Sequence, residues 1–297
     1  MLGIVTLAGE GTRMLPWSRG LRKEFLPLYD RGETGAPVLK PVAHLVVESL
    51  IRAGADSITI VVQPKDAAFV SNYFTVDPEF LERHRAVAER LTDTRRFYQA
   101  IAGVHFDFTV QPRPLGFGDA VLRAGTSARR GPCFVHAGDA FLDEPRRGFL
   151  LRTMGECLQQ ETVDAVLLVR RVSDPRRYGV VEGSLARPFR GVRRLDVTGM
   201  AEKPPKPRSH WAATAVYAFS PAIFAALDAN RRPGGLRELE LTDGIRTLLA
   251  RGGRVAALVL DPRLGRWWSV GSPEGFARAL ARTHAETLRP PSAGTND

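Results

Sequence analysis

Two hydrophobic patterns alternate along this chain. Short, nearly unbroken apolar runs suit strands buried on both faces, and stretches where apolar residues return every three or four positions suit helices with one buried side. Ile4–Leu7 opens the series as a strand, Pro41–Ala53 follows with helical spacing and stops at Gly54, and Ser57–Val62 is strand-like again. Asp66–Tyr73 and Pro78–Leu91 predict helices, His105–Val110 a strand, Asp119–Ala128 a helix and Cys133–His136 a strand. In the second half, Val163–Val169, Gly191–Val197 and Ala212–Phe219 predict strands; Pro221–Ala229, Thr242–Ala250 and Pro273–Glu286 predict helices. This alternation implies an α/β architecture of three layers, with helices on both faces of a mixed, mostly parallel sheet. No Ser/Gly-rich linker divides the chain, so residues 1–289 read as one domain and Pro290–Asp297, polar and rich in Pro and Gly, as a disordered tail. Asp30–Pro37, DRGETGAP, reads as a surface turn, and no internal repeat is present.

Composition changes this picture little. With 297 residues, 44% hydrophobic and 25% charged, the chain is of ordinary globular make-up. No apolar run approaches the roughly 18 residues of a membrane span, and no secretory segment precedes the first strand, so a cytoplasmic protein without a membrane partner is expected. Cys133 and Cys157 lie in apolar surroundings and read as buried free thiols. The six histidines, His44, His84, His105, His136, His210 and His284, show no zinc spacing. A formal charge of +10 suits nucleic-acid binding, but the arginines are scattered (Arg83, Arg152, Arg187, Arg208, Arg251) and form no basic stripe with interleaved aromatics.

The chemistry concentrates in Leu7–Leu28. The first strand opens into Gly9, Gly11, Thr12 and Arg13, and Arg22-Lys23-Glu24 follows about ten residues later. Glycines let a backbone approach a ligand and turn its N–H groups inward. Arg13 and Lys23 add full positive charges, an arrangement that suits a nucleoside triphosphate. The dinucleotide fingerprint is incomplete, because Met14 stands where its third Gly belongs, and no Gly-Lys-Ser/Thr string completes a P-loop.

GEGTRMLPWSRGLRKEFLPL resembles the GxGTRxxPxTxxxPKxxLP signature of sugar-1-phosphate nucleotidyltransferases, most closely the bacterial UTP–glucose-1-phosphate uridylyltransferase branch. Trp17, Gly20 and Arg22 depart from it, Arg22 where the family often has Pro. The resemblance implies a Rossmann-like αβα nucleotidyltransferase fold and a role for each matching residue. Leu7, Ala8, Gly9, Gly11 and Thr12 would bind the nucleotide, Arg13 its β and γ phosphates, and Lys23 the phosphates near the reacting centre. QPRPLGFGDAVLRA resembles the base-reading segment, with Gln111 and Gly116 on uracil or thymine; a Gln side chain can both donate and accept. FVHAGDAFLDE matches the segment whose Asp binds Mg²⁺, which assigns that ion to Asp139, with Ala140 departing from the usual Asn or Asp. In the segments YGVVE and AEKPP, Gly179 would line the sugar pocket, Glu202 accept from sugar hydroxyls and Lys203 hold the sugar phosphate. Tyr217 aligns with the strand carrying GxY, whereas Val216 stands where uridylyltransferases often carry Arg. RELELTD, resembling GExExTD, reads mainly as a helix start capped by Thr242 or Asp243.

The largest departure lies in Arg266–Pro273, RWWSVGSP, which resembles the late W-x-D-x-G segment. Alignment on Gly271 puts Ser269 at the second metal Asp, and a neutral hydroxyl is a weak ligand for a hard cation. Asp139 and the substrate phosphates hold Mg²⁺ alone, another acid such as Asp261 substitutes, or catalysis is lost and only binding remains. The reaction implied is attack of a sugar 1-phosphate oxygen on the α-phosphorus of an NTP, UTP first and dTTP next, with glucose 1-phosphate as the leading acceptor. Val216, Trp17 and the longer Asp30–Pro37 segment leave room for a specialised sugar or cyclitol phosphate. The alternatives are a catalytically impaired nucleotide- or sugar-binding relative and a basic nucleic-acid-binding protein. Relatives are commonly dimers or tetramers, so a homo-oligomer is expected.

Overall fold

In the computed structural model, residues 1–128, 131–231 and 237–289 are described. The first half runs β1 (Leu2–Thr6), β2 (Pro27–Arg31), β3 (Pro37–Pro41), α1 (Val42–Arg52), β4 (Ser57–Val62), α2 (Ala67–Tyr73), α3 (Pro78–Arg83), α4 (Thr92–Ala102), β5 (His105–Val110), α5 (Phe117–Ala128), β6 (Cys133–Ala137), β7 (Ala140–Asp143) and α6 (Phe149–Gln160). The second half runs β8 (Ala165–Arg171), β9 (Gly179–Phe189), β10 (Val192–Glu202), β11 (Trp211–Phe219), α7 (Ala222–Asp228), α8 (Leu241–Ala250), β12 (Val255–Val259), β13 (Arg266–Ser269) and α9 (Pro273–Thr287).

Nine strands form one sheet in the order β5-β4-β1-β6-β11-β8-β12-β10-β9. The sheet is mixed, as expected. The bias to parallel pairing holds in the first half, where β5, β4, β1 and β6 are parallel neighbours. Beyond them β11 runs antiparallel to both β6 and β8, and β10 antiparallel to β12 and β9, while β8 and β12 pair parallel. Successive residues of β1 enter opposite layers, since strand side chains alternate. Val5 belongs to the core cluster that holds α1, α6 and α9, and Ile4 to the cluster that holds α5, α7 and α8. Both faces are therefore covered, which explains the unbroken apolar runs.

Two hairpins lie outside this sheet. β2 and β3 pair antiparallel across the turn at residues 32–36, so Asp30 and Pro37 belong to strands rather than to a surface turn. Asp30 is buried, 2.9 Å from Lys40 and ion-paired to Arg147, because the hairpin folds back on the core. β13 pairs antiparallel with β7, setting Ser269 opposite Ala140. The helix expected over Pro78–Leu91 breaks after α3. There the backbone N–H and ring Nδ1 of His84 both donate to the Phe80 carbonyl, and Val87 is non-helical. Helix α8 is capped by Glu240 and Asp243 in a reciprocal box. Thr242 plays no part in that cap and donates instead to Glu202 at 2.9 Å. Cys133 and Cys157 are buried free thiols, pushed up to about 12 and about 11 by burial. No helix among the described residues is long and apolar enough to cross a membrane. The expected disordered tail lies outside the described residues.

Candidate active site

Register dictates where the chemistry gathers. Thr6 pairs with Ala137, so the loop after β1 and the Gly138-Asp139 turn after β6 leave the sheet side by side, and the Gly138 N–H donates to Thr6 at 3.0 Å. Val62 pairs with Val110, which brings Gln111 to the same edge. This is the carboxyl edge of the parallel strands, where open α/β sheets bind ligands.

The loop is tied down from behind. Arg22, 6% exposed, donates to the carbonyls of Leu7 and Gly9, the latter at 2.8 Å. Gln63 donates to the Ala8 carbonyl at 2.9 Å, and Ser18 to that of Gly11 at 2.8 Å. In a trans peptide the C=O and the following N–H point opposite ways. The amides of Ala8, Gly9, Glu10 and Thr12 therefore turn toward the cavity that these residues line. Gly11 sits at φ +67, in the left-handed region open to glycine. Such a ring of inward N–H groups is an anion cradle. Leu7 does not join it: its side chain is in the core, its N–H donates to Val61, and its carbonyl is taken by Arg22.

Lys23 is ion-paired to Asp139 at the rim of the cradle. Burial pulls the Lys23 ammonium down, but the Asp139 and Glu24 carboxylates together outweigh it and the net shift is upward. Burial also pushes the Asp139 carboxyl up, and Lys23 and Arg13 reverse this and hold it below its ordinary value. Both groups are charged. A Cβ on Gly271 would lie 3.0 Å from Asp139 Oδ2, 3.3 Å from Arg13 Nη2 and 3.3 Å from Ser269 Oγ, so these three side chains converge on one point. Asp261 lines neither cavity and is held by Arg263 at 3.0 Å, so it does not stand in for the missing carboxylate. Among the described residues no group of three or more His, Cys, Asp or Glu is placed to hold a metal.

Two cavities meet here. One, about 340 Å³, runs from the cradle to Gln111 and Gly116. Gln111 Nε2 is committed to Asp119 at 2.8 Å and to the Gly116 carbonyl at 3.1 Å, which leaves Oε1 as an acceptor. Gly116 has φ +103, and a Cβ there would meet the Leu239 carbonyl oxygen at 2.4 Å. The second cavity, about 560 Å³, is bounded by Gly179, Glu202, Tyr217 and Thr242. Phe117, Asp139 and Glu240 line both, so Asp139 stands at the junction.

The nucleotidyl transferase family profile matches residues 2–286. This chain belongs to the nucleotidyl transferase family. It is 30% identical over 280 residues to the UTP–glucose-1-phosphate uridylyltransferase of Bacillus subtilis, covering 92% of this chain and 87% of that protein. The glucose-1-phosphate thymidylyltransferase of Neisseria gonorrhoeae is 27% identical over 287 residues, 95% of this chain and 82% of that one. An apo UDP-glucose pyrophosphorylase crystal structure superposes with a TM-score of 0.82 at 24% identity, covering 97% of this chain and 99% of that one.

Of the residues matched to the family motifs, Ala8, Gly9, Gly11, Thr12, Lys23, Gln111, Gly116 and Asp139 line the first cavity. Arg13, Gly179, Glu202 and Tyr217 line the second. Lys203 lines neither; it is solvent-exposed, 3.1 Å from Glu202, in a left-handed backbone conformation at φ +42. Val216 is fully buried and does not reach the sugar-side cavity. Sequence reasoning missed Arg22 as the clamp of the loop, the Glu10 amide, Glu240 at the junction, and Arg170 between two aromatic rings. Only Glu240 had a signal, the cap pattern of RELELTD.

Proposed function

We propose that this protein transfers a uridylyl group from UTP to a sugar 1-phosphate and releases pyrophosphate. The observation that carries this reading is the Lys23–Asp139 pair at the junction of two cavities, one floored by an anion cradle and closed by a fixed acceptor. A Gln111 oxygen meets the N3–H of uracil or thymine and repels the bare N3 of cytosine. The names of the relatives above point to the same donor and acceptor class.

A phosphate monoester is largely ionised at pH 7, with a second pKa near 6, so the attacking oxygen needs no strong general base. That oxygen bonds to the α-phosphorus as the bond to the bridging oxygen of pyrophosphate breaks. Positioning and charge neutralisation then carry catalysis. The loop amides would hold the β and γ phosphates, Lys23 would move from Asp139 onto the α-phosphate, and Arg13 would approach the acceptor phosphate. Glu202, which lines the second cavity, would accept from sugar hydroxyls and orient the acceptor. One carboxylate with a neighbouring hydroxyl is an oxygen donor set that fits Mg²⁺ at this junction. Asp139 and Ser269 would hold it there, and it would supply charge neutralisation.

A second reading, binding without transfer, is motivated by Ser269. Pyrophosphate release with Mg²⁺ and each NTP against a panel of sugar 1-phosphates separates the two. Release that needs both substrates, with UTP ahead of CTP, supports transfer. Binding of NTP without release supports the second reading. Lys23→Ala and Asp139→Ala are expected to abolish release while melting as folded proteins, and wild-type rates in either would refute the assignment.

A further inference from the structure

The second cavity is richer in cations than a neutral hexose requires. Arg13, Arg170, Arg177 and Arg278 line it, and among the described residues none of the four has a hydrogen bond or ion pair to a protein group. The three acids of the same wall are already engaged: Asp139 pairs with Lys23, Glu202 with Lys203 and Thr242, and Glu240 accepts from the Asp243 N–H in the α8 cap. Arg170 is the most constrained of the four. Its guanidinium lies 5.1 Å from the Tyr178 ring centroid and 4.6 Å from that of Trp267. Its Nε is buried without a partner. Trp267 is itself fixed, since its Nε1 donates to the Thr214 carbonyl at 2.8 Å.

A ring face accepts no conventional hydrogen bond, so a guanidinium held over the two rings keeps its N–H donors for a ligand. Those donors match the two oxygens of a carboxylate or a phosphate and gain little from neutral hydroxyls. The acceptor phosphate must reach the junction at Asp139, and Arg170 does not line the nucleotide cavity, so it lies on the sugar side of that phosphate. Val216, buried on β11, cannot supply a cation, whereas Arg170 on the adjoining β8, paired with Ala212, does.

We propose that the acceptor is a sugar 1-phosphate bearing a second acidic group on its ring, which Arg170 grips from between Tyr178 and Trp267. This rests on the transfer reaction proposed above and names its substrate class. The test is isothermal titration of the full chain with glucose 1-phosphate, glucuronic acid 1-phosphate and glucose 1,6-bisphosphate, paired with pyrophosphate release from UTP. At least one of the two doubly acidic sugars is expected to bind about 10- to 100-fold more tightly than glucose 1-phosphate. The preferred one reports whether the second group is a carboxylate or a phosphate. R170Q is expected to collapse that ratio and R170K to retain part of it. R278Q, on the exposed side of α9, provides a second reading of the ratio should R170Q fail to fold. Equal or tighter binding of glucose 1-phosphate, or a ratio that both Gln variants leave intact, overturns the proposal. Tight binding of a doubly acidic sugar with no pyrophosphate release from any acceptor upholds the ligand class and refutes transfer; release that is best with glucose 1-phosphate upholds transfer and refutes the ligand class.

Discussion

Glu24 offers a direct test of how the cradle is held. Its carboxyl is 2% exposed and lies 3.4 Å from Arg22 Nε and 3.9 Å from Lys23 Nζ. Burial outweighs both cations and lifts its pKa from 4.5 to about 7. Its Oε2 is buried with no hydrogen-bond partner. Between pH 4.5 and 7 the folded state therefore binds more protons at this site than the unfolded chain does, and stability falls as pH rises. The cost is absent below the unfolded value and complete above pH 7. At about 1.36 kcal/mol per pH unit, that interval corresponds to about 3 kcal/mol as an order of magnitude.

Glu24→Gln removes the titration while keeping the shape. The attraction of Arg22 and Lys23 is already inside the figure, so no separate correction for the lost charge is needed. The variant is expected to match the wild type near pH 4.5 and to exceed it by about 3 kcal/mol at pH 8. Urea unfolding of both proteins at pH 5, 6, 7 and 8 measures this. His136, pushed down to about 4 by burial, and Glu144, pushed up to about 7 by burial, also bend the pH profile, but they are common to both proteins and cancel in the difference. A difference that does not change with pH would show that Arg22 and Lys23 fully offset burial, and a wild type that gains on the variant as pH rises would show that they overcompensate it; either would refute the reasoning.

Three further outcomes follow from the geometry. Arg22→Met removes the donor to Leu7 and Gly9 and leaves Glu24 and Asp66 facing a neutral chain; a loss of about 3–5 kcal/mol in urea unfolding and a raised KM for UTP are expected. Gly116→Ala forces a Cβ against the Leu239 carbonyl in a left-handed conformation, with an expected loss of about 1–3 kcal/mol and weaker UTP binding by calorimetry. Ser269→Asp puts a second carboxylate beside Asp139; the Mg²⁺ concentration for half-maximal pyrophosphate release is expected to fall about tenfold, and an unchanged metal titration would show that position 269 never contacts the ion.

The legible parts of this fold are those written in one stretch of chain. β1, β4 and β6 are apolar runs with neighbours on both sides, β5 is the edge strand beside β4, and each matches its expected place to within about two residues. Four-residue β7 and β13 were invisible because each is stabilised by the other, 123 residues apart between Asp143 and Arg266. Helix α6 has the right spacing of Leu150, Leu151, Met154, Cys157 and Leu158, but Gly155 interrupts it, and α4 has only Phe97 and Ile101 buried. At the site, motif order brought Lys23, Gln111 and Asp139 into one reading, and alignment on Gly271 placed Ser269 beside Asp139, where the β7–β13 ladder sets it. Arg22 and Arg170 could not be read that way. A clamp and a stacked cation are defined by partners distant in the chain, such as the Trp267 ring, and no local pattern encodes them.

The departures from the motif act at different depths. Arg22 adds a cation, but its Nη2 donates to the Leu7 and Gly9 carbonyls and its charge faces Glu24 and Asp66, so little of that charge reaches a ligand. Ser269 removes an anion at the point where Arg13 and Asp139 converge. Where Arg13, Asp139 and Ser269 converge, Asp139 is the one carboxylate facing Lys23 and Arg13, while Glu240, the other acid lining both cavities, is engaged in the α8 cap. A second carboxylate there would need a cation to offset it; a serine does not. Lys23 is then free to trade Asp139 for the triphosphate as it arrives. On this balance Ser269 is compatible with the proposed transfer, with Lys23 and Arg13 carrying charge neutralisation. Ser269→Asp should accordingly bind UTP more weakly than the wild type when Mg²⁺ is withheld, even as it lowers the Mg²⁺ that turnover requires.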